Sequence, residues 1–113
     1  MADCLFCSIA AGDIPADIVL ETDDVVAFND INPAAPTHVL VIPKRHVASA
    51  AELEADDAPL LSALFDAAAR VGEAVEGGWR LVTNVGPDAG QSVFHLHFHV
   101  LGGRRLGWPP GLL

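Results

Sequence analysis

Three of the five histidines in this 113-residue chain lie at alternate positions in the stretch HLHFHV, residues 95–100. Successive side chains of a β-strand point to opposite faces, so His95, His97 and His99 are predicted to share one face and the apolar residues between them the other. Three imidazoles on one rigid surface could bind a metal ion, hold an anion, or supply a nucleophile with assisting groups. The alternative without function is a half-exposed strand that happens to be rich in histidine.

The two cysteines of the chain, Cys4 and Cys7, form a C-x-x-C pair near its start. In an intracellular chain such a pair indicates a metal or redox site before it indicates a structural disulfide. A thioredoxin-like redox site needs a strand before the pair, and we expect none there. The alternative is that both thiols are buried and pack as small hydrophobic side chains.

The length and composition predict one domain over residues 1–113 with its own core, since 51% of the residues are apolar. Six basic residues against fifteen acidic ones give a formal net charge of −9, which disfavours binding to a nucleic-acid backbone. No apolar run approaches the roughly 18 to 20 residues that span a bilayer, and the N-terminal residues lack a signal-peptide pattern. We therefore expect a cytoplasmic protein that binds neither nucleic acid nor membranes.

The first half of the chain predicts a short helix and three strands that would position these residues. Residues 4–15 predict a short helix stopped by Gly12. Two short β-rich runs flank the turn TDD and predict a hairpin, Ile18 to Glu21 with Val25 to Asn29. After a proline-rich loop, the nearly continuous apolar run THVLVIP, residues 37–43, predicts a central strand buried on both faces.

The second half predicts one long helix and two further strands. The helix would begin near Asp56 or Asp57 and end at Gly77 and Gly78, with apolar residues at helical spacing along one stripe. A strand, a glycine-rich loop, a closing strand and an irregular tail follow it, over residues 79–85, 86–92, 93–102 and 103–113. Five mostly antiparallel strands with one long and one short helix make an α+β domain.

Four stretches of the sequence resemble the histidine triad (HIT) family: HLHFHVL, CLFC, FNDINPAAPTHVLVIPKRH and NVGPDAGQSVFHLHFHVLGG. They cover most of the chain. The terminal GGRRLGWPPG is similar to the Hint branch, the nucleoside phosphoramidases, more than to the branch of dinucleoside polyphosphate hydrolases. The resemblance implies a HIT-like fold and a homodimer in which strands of both subunits join into one sheet and the tail nears the neighbour's site.

The resemblance also implies how the histidines act on a purine nucleoside phosphoramidate. His97 would attack the α-phosphorus, and water would then hydrolyse the nucleotidyl-histidine. His99 would hydrogen-bond the phosphate and help manage the leaving-group proton, and His38 would support this network. The loop before the triad would surround the phosphate and leaving group with neutral groups, with Gly90 allowing close approach and with side chains from Asn84, Gln91 and Ser92.

The remaining nucleotide contacts implied by the resemblance lie further from the phosphate. Asp30 would bind the ribose hydroxyls, because a carboxylate can accept two hydrogen bonds from a vicinal diol. Trp108, followed by Pro109 and Pro110, would shape leaving-group specificity. Apolar residues would grip the purine: Leu5, Phe6, Ile9, Phe28, Ile31 and Leu40.

Each of these assignments has a structural alternative. Asp30 could be a turn residue that makes an Asx-type hydrogen bond ahead of the proline loop. Asn84 and Ser92 could satisfy backbone groups of their loop. On burial grounds alone, several residues of the base pocket are core residues: Phe28, Ile31 and Leu40.

The first histidine of the triad has a separate role by resemblance, because its counterpart in many bacterial relatives joins two cysteines and a histidine around zinc. The ligands here would be Cys4, Cys7, His46 and His95, a suitable tetrahedral set for a closed structural site that ties the N-terminal helix to the sheet. Catalysis would need no cofactor. The alternative is that His38 and His46 are each a satisfied histidine at the end of a strand.

Three further functions remain open at the level of sequence. Within the family the runner-up is hydrolysis or phosphorolysis of dinucleoside polyphosphates. The protein could also be a nucleotide-binding regulatory partner whose catalysis is incidental. Finally, all three triad histidines could bind zinc in a metallohydrolase.

Overall fold

A computed structural model describes residues 4–111, which form two α-helices and one five-stranded sheet. The elements in chain order are α1 (Leu5–Ala10), β1 (Ile18–Glu21), β2 (Val25–Asn29), β3 (Thr37–Pro43), α2 (Ala58–Gly72), β4 (Trp79–Val82) and β5 (Phe98–Gly102). Three short 3₁₀ turns lie at Ala50–Glu52, Ala55–Asp57 and Pro87–Ala89. The predicted α+β class, with five strands, one long helix and one short helix, is confirmed.

The sheet has the strand order β1-β2-β3-β5-β4, and all four neighbouring pairs are antiparallel. β1 and β2 form the predicted hairpin, whose turn is held by the Thr22 hydroxyl; it accepts the backbone N–H groups of Asp24 and Val25 at 3.3 and 3.1 Å. β3 lies at the centre and is buried over nearly its whole length, as its apolar sequence predicts. β1 and β4 are the edges of this sheet.

Alternation along the strands separates two cores, one on each face of the sheet. On one face α2 packs Leu64 and its neighbours against apolar residues that include Val41 of β3 and Val100 of β5. On the other face α1 packs Phe6 against side chains that include Phe28 of β2 and Leu40 of β3. Four of the residues named from the sequence for the base pocket therefore lie on the face that α1 partly covers: Phe6, Ile9, Phe28 and Leu40.

The long helix ends earlier than the sequence predicts, at Gly72 instead of Gly77 and Gly78. The chain turns back after Gly72, and the Trp79 side chain at the start of β4 packs on that glycine. A Cβ at position 72 would lie 2.3 Å from the indole nitrogen. Gly77 and Gly78 have φ angles of +88° and +106° and form the turn into β4. The glycine pair therefore marks a turn, and the prediction that it ends the helix is wrong.

The closing strands are also shorter than predicted, because regular pairing of β4 with β5 stops at Val82 and His99. The segment just before β5 is held by two separate bonds. The backbone N–H of Leu96 donates to the Val47 carbonyl at 2.6 Å, and the Thr83 hydroxyl donates to the His97 carbonyl at 2.9 Å. The alternation of side chains nevertheless continues, since Leu96 shares the α2 core with β5.

Within residues 4–111 no helix is long and apolar enough to cross a membrane. Residues 103–111 contain neither helix nor strand. Arg104 ties the start of this tail to the body of the protein, because its guanidinium donates to the Ala34 carbonyl at 3.1 Å. The remaining terminal residues, 1–3 and 112–113, lie outside the described part of the chain.

Candidate active site and metal centre

A cleft of about 370 Å³ opens on the α1 face of the sheet. It is lined by ten of the residues proposed to bind nucleotide: Leu5, Phe6, Ile9, Phe28, Asp30, Ile31, Leu40, Ser92, His97 and His99. Ile31 is 91% exposed at the rim, whereas Phe28 and Leu40 are buried and serve as core residues and cleft wall together. A larger cleft of about 470 Å³ lies on the α2 face, and none of the five histidines lines it.

His97 is buried at the floor of this cleft and is held in one tautomer. Its Nδ1 lies 2.8 Å from the carbonyl oxygen of His95. A carbonyl oxygen only accepts, so Nδ1 carries the proton and a neutral His97 keeps its lone pair at Nε2. The Phe6 ring stands perpendicular to the imidazole, with 5.1 Å between ring centres. This arrangement prepares a nitrogen nucleophile.

The neighbouring His99 takes its tautomer from a chain of hydrogen bonds that begins in the proline-rich loop. The backbone N–H of Ala34 donates to His38 Nδ1 at 2.9 Å, which leaves the His38 proton on Nε2. The Nε2–H of His38 in turn donates to His99 Nδ1 at 2.9 Å. The proton of His99 is therefore on Nε2, a buried atom with no hydrogen-bond partner among residues 4–111. His99 thus offers a free N–H donor.

Burial keeps both of these histidines neutral. Burial, with smaller contributions from the nearby His97 and His38, lowers the pKa of His99 to about 4. Burial also lowers the pKa of His38, although the Asp30 carboxylate, 3.4 Å from His38 Nε2, opposes the shift. At neutral pH the pair consequently acts through N–H dipoles instead of formal positive charge.

Asp30, His38 and His99 lie close enough together to be considered as a second metal site. The hydrogen bonds argue against it, because the Ala34 N–H occupies His38 Nδ1 and the proton on Nε2 leaves no lone pair facing the other two residues. One Asp30 oxygen accepts the backbone N–H of Asn32 at 2.8 Å, the Asx-type bond considered from the sequence. Asp30 still lines the cleft with its carboxylate.

The loop before the triad is built around the side chain of Gln91, which is 4% exposed. Its Oε1 accepts the Gly86 N–H at 2.9 Å, and its Nε2 donates to the carbonyls of Ala48 and Val93 at 2.7 and 3.1 Å. Both polar atoms of the Gln91 amide are thus hydrogen-bonded to backbone groups, of Gly86, Ala48 and Val93. The loop residue whose side chain lines the cleft beside His97 is Ser92.

The predicted residue Asn84 lies at a smaller cleft of about 260 Å³ that His99 also lines. Asn84 lines it together with His38 and the tail residues Pro110 and Gly111. Gly90 has a φ of +103°, and a Cβ there would lie 3.6 Å from the Asn84 amide nitrogen. Trp108 is 79% exposed and lines neither cleft, so a single chain does not bring it to the site.

The four residues proposed as metal ligands converge at the start of α1. His95 Nδ1 lies 3.3 Å from Cys4 Sγ and 3.4 Å from Cys7 Sγ, and His46 Nδ1 lies 3.2 Å from Cys7 Sγ. The two Nδ1 atoms are 3.3 Å apart. Ligand atoms around a tetrahedral zinc ion are separated by roughly 3.3–3.6 Å, given the usual Zn–N and Zn–S bond lengths. The spacing fits such an ion.

The protonation of the cluster fits a metal as well. His95 is fully buried, and its Nε2 donates to the Pro43 carbonyl at 2.8 Å, so the proton lies there and the Nδ1 lone pair faces the cysteines. Burial lowers the pKa of His95, which keeps it neutral. Burial, and then the adjacent Cys4, raise the pKa of the Cys7 thiol. A cation is what would turn these thiols into thiolates.

Comparison with known proteins places this arrangement in a family. Residues 11–106 match the HIT domain. The chain belongs to the HIT family. This HIT protein is 47% identical over 111 residues to an uncharacterized HIT-like protein of Synechococcus elongatus, covering 96% of its own length and 97% of the relative.

Solved structures agree with this assignment. A HIT family hydrolase from Legionella pneumophila matches with a TM-score of 0.92 and 49% identity, over 96% of this chain and all of the other. A HIT family hydrolase from Clostridium thermocellum matches with a TM-score of 0.91 and 46% identity, over 95% of this chain and 96% of the other.

Three contacts that shape the site were missed from the sequence: the Thr83 hydroxyl on His97, the Pro43 carbonyl on His95 and the Ala34 N–H on His38. Two of them are backbone groups, which every residue possesses, and threonine is common in strands for reasons of packing. The sequence therefore carries no signal that singles them out.

Proposed function

We propose that this HIT protein is a purine nucleoside phosphoramidase of the Hint type, which cleaves the P–N bond of adenosine 5′-monophosphoramidates to AMP and an amine. The observation that carries the proposal is the tautomer of His97. Its Nδ1–H is fixed on the His95 carbonyl, so the nucleophilic lone pair is on Nε2 in the residue that lines the cleft. Neutral imidazole is a competent nucleophile at neutral pH.

The reaction follows in two displacements. His97 Nε2 attacks the α-phosphorus, the P–N bond breaks, and the amine leaves with a proton that His99 relays from solvent. Water then attacks the same phosphorus and gives up a proton to solvent, the bond from phosphorus to His97 breaks, and AMP leaves. The free Nε2–H of His99, whose ring centre is 4.9 Å from that of His97, donates to a phosphoryl oxygen as its charge develops.

The walls of the cleft suit the rest of a purine nucleotide. Apolar side chains from α1 and from β2 and β3 enclose a site for the base, and Phe6 and Phe28 meet edge to face with 5.6 Å between ring centres. The Asp30 carboxylate lines the cleft and would accept the ribose hydroxyls. The side chains proposed to enclose the base are apolar and make no hydrogen bonds to its edge, which favours broad purine acceptance.

We propose that zinc binds Cys4, Cys7, His46 and His95, where it would cross-link α1 to the sheet.

We propose also that the protein is a homodimer. β4 is an edge strand able to pair with a second copy, and Trp108 lies on the surface away from its own cleft, available to a neighbour. Sedimentation equilibrium tests the dimer, and a monomer at micromolar concentration would refute it.

The experiment that tests the activity incubates wild type and His97→Ala with an adenosine phosphoramidate, follows AMP release, and searches rapid-quench samples by intact mass for adenylylated protein. Wild type is expected to turn over through an adduct, and the variant to show neither while still binding AMP. Binding of AMP by wild type without turnover would refute the proposal. Faster hydrolysis of a dinucleoside polyphosphate than of the phosphoramidate would place the protein in the other branch.

A further inference from the structure

We infer that Thr83 is a positioning residue for the His97 nucleophile. This inference rests on the proposed function, because it assigns a task to a residue outside the predicted catalytic set. Thr83 follows the end of β4 and does not line the nucleotide cleft. It acts through the backbone of His97, which accepts its hydroxyl at 2.9 Å.

The location of this bond is informative. Regular pairing between β4 and β5 ends at Val82 and His99, and the nucleophile lies two residues beyond that last pair. With the regular ladder ended, the His97 carbonyl is held by the Thr83 side chain. The Thr83 hydroxyl therefore adds one hydrogen bond between the two chain segments beyond the last backbone pair, and it does so at His97, the proposed nucleophile.

His97 is thereby fixed on both sides of its Cα. Its ring is held through Nδ1 by the carbonyl of His95, and its own carbonyl is held by Thr83. The Phe6 ring packs perpendicular to the His97 imidazole and limits its movement from a third direction. If the hydroxyl is lost, the peptide group after His97 can rotate toward another donor, and the imidazole turns with the backbone.

Such a rotation should affect the chemical step more than nucleotide binding. Attack in line on phosphorus requires Nε2 within about 3–3.5 Å of the target, and a displacement of about 1 Å can cost on the order of 100-fold in rate. The proposed base and ribose contacts come from α1 and from the segment around β2 and β3, in a cleft that Thr83 does not line. The expected result is a lower kcat at nearly constant KM.

The test compares Thr83→Val, which keeps the shape and removes the hydroxyl, with Thr83→Ser, which keeps the hydroxyl. We expect kcat to fall by about 10- to 100-fold in the valine variant, with KM and the AMP dissociation constant within about twofold. The serine variant should retain most of the activity. If the valine variant does not fold, Thr83→Ala makes the same comparison.

Thr22→Val is the matched control. It also removes a threonine hydroxyl that hydrogen-bonds backbone groups, but in the β1–β2 turn away from the cleft. It should lower stability without lowering kcat. A kcat in Thr83→Val equal to that of wild type overturns the inference, as does an equal loss in Thr22→Val.

A second readout does not depend on turnover. Imidazole ¹⁵N spectra of the AMP complex should report the Nδ1–H tautomer of His97 in wild type and in Thr83→Ser, and a mixture of tautomers in Thr83→Val. If wild type fails to hydrolyse phosphoramidates, the proposed function falls and these spectra decide the inference. Unchanged His97 signals in the valine variant would then refute it.

Discussion

Protonation of His99 should make the folded protein lose stability in mildly acidic solution. An unfolded histidine titrates near pH 6.5, whereas burial beside His97 and His38 lowers the pKa of folded His99 to about 4. Between these two values the unfolded chain binds more protons than the folded one, so the free energy of unfolding falls as the pH falls. The stability that the folded protein gains from neutral His99 is fully present above about pH 6.5 and is lost by about pH 4.

The size of the effect follows from the two pKa values. At about 1.4 kcal/mol for each pH unit, the full contribution of His99 is about 3 kcal/mol. At pH 5 the unfolded imidazole is almost fully protonated and the folded one is mostly neutral, which gives about 2 kcal/mol. A change of this size is a large part of the stability of a small domain.

The assay is urea unfolding of wild type and His99→Gln at about pH 7.5 and about pH 5. Glutamine does not titrate, and its carbonyl can still accept the His38 N–H. The carboxylates and the Cys/His cluster are present in both proteins, so their effects cancel in the difference, which reports His99 together with the His38 and His97 that couple to it. Wild type should lose about 2 kcal/mol more than the variant between the two pH values. Equal losses would refute the assigned pKa and the hydrogen-bonded chain behind it.

Three other perturbations have defined outcomes. Zinc, bound as proposed, should raise the melting temperature of wild type; Cys4→Ser should abolish that rise and weaken AMP binding in calorimetry, because α1 carries one wall of the cleft. Gly102→Ala should cost about 1–3 kcal/mol in chemical unfolding, since its Cβ would lie 2.5 Å from a methyl of Val75 and 3.0 Å from the Gly78 carbonyl. Gln91→Leu should cost about 2 kcal/mol by the same measurement, because it leaves one partly buried donor and two partly buried acceptors without their partner; an unchanged midpoint would contradict the hydrogen bonds assigned to Gln91.

The sequence predicts most of the sheet because its strands are delimited by residues with strong local preferences. β1, β2 and β3 have the predicted bounds, since Thr22 and its aspartates form the hairpin turn and prolines limit the next loop. The end of α2 was not predictable from periodicity, because the packing of Trp79 on Gly72 is a contact between elements. β5 begins later than predicted for the same kind of reason, because the residues just before it form hydrogen bonds with Val47 and Thr83, which lie elsewhere in the sequence.

For the site, sequence predicts which side chains meet, while backbone partners decide what each imidazole does. The Pro43 carbonyl takes the Nε2 proton of His95 and leaves Nδ1 free to bind a metal. The His95 carbonyl takes the Nδ1 proton of His97 and leaves Nε2 free as a nucleophile. His99 accepts at Nδ1 and so keeps an N–H at Nε2 as a donor. The triad therefore consists of one residue type in two tautomers, Nε2–H in His95 and His99 and Nδ1–H in His97. His95 offers both a nitrogen to the proposed metal centre and the carbonyl that orients His97, the proposed nucleophile. A change at the Cys/His cluster should therefore reach the cleft through His95.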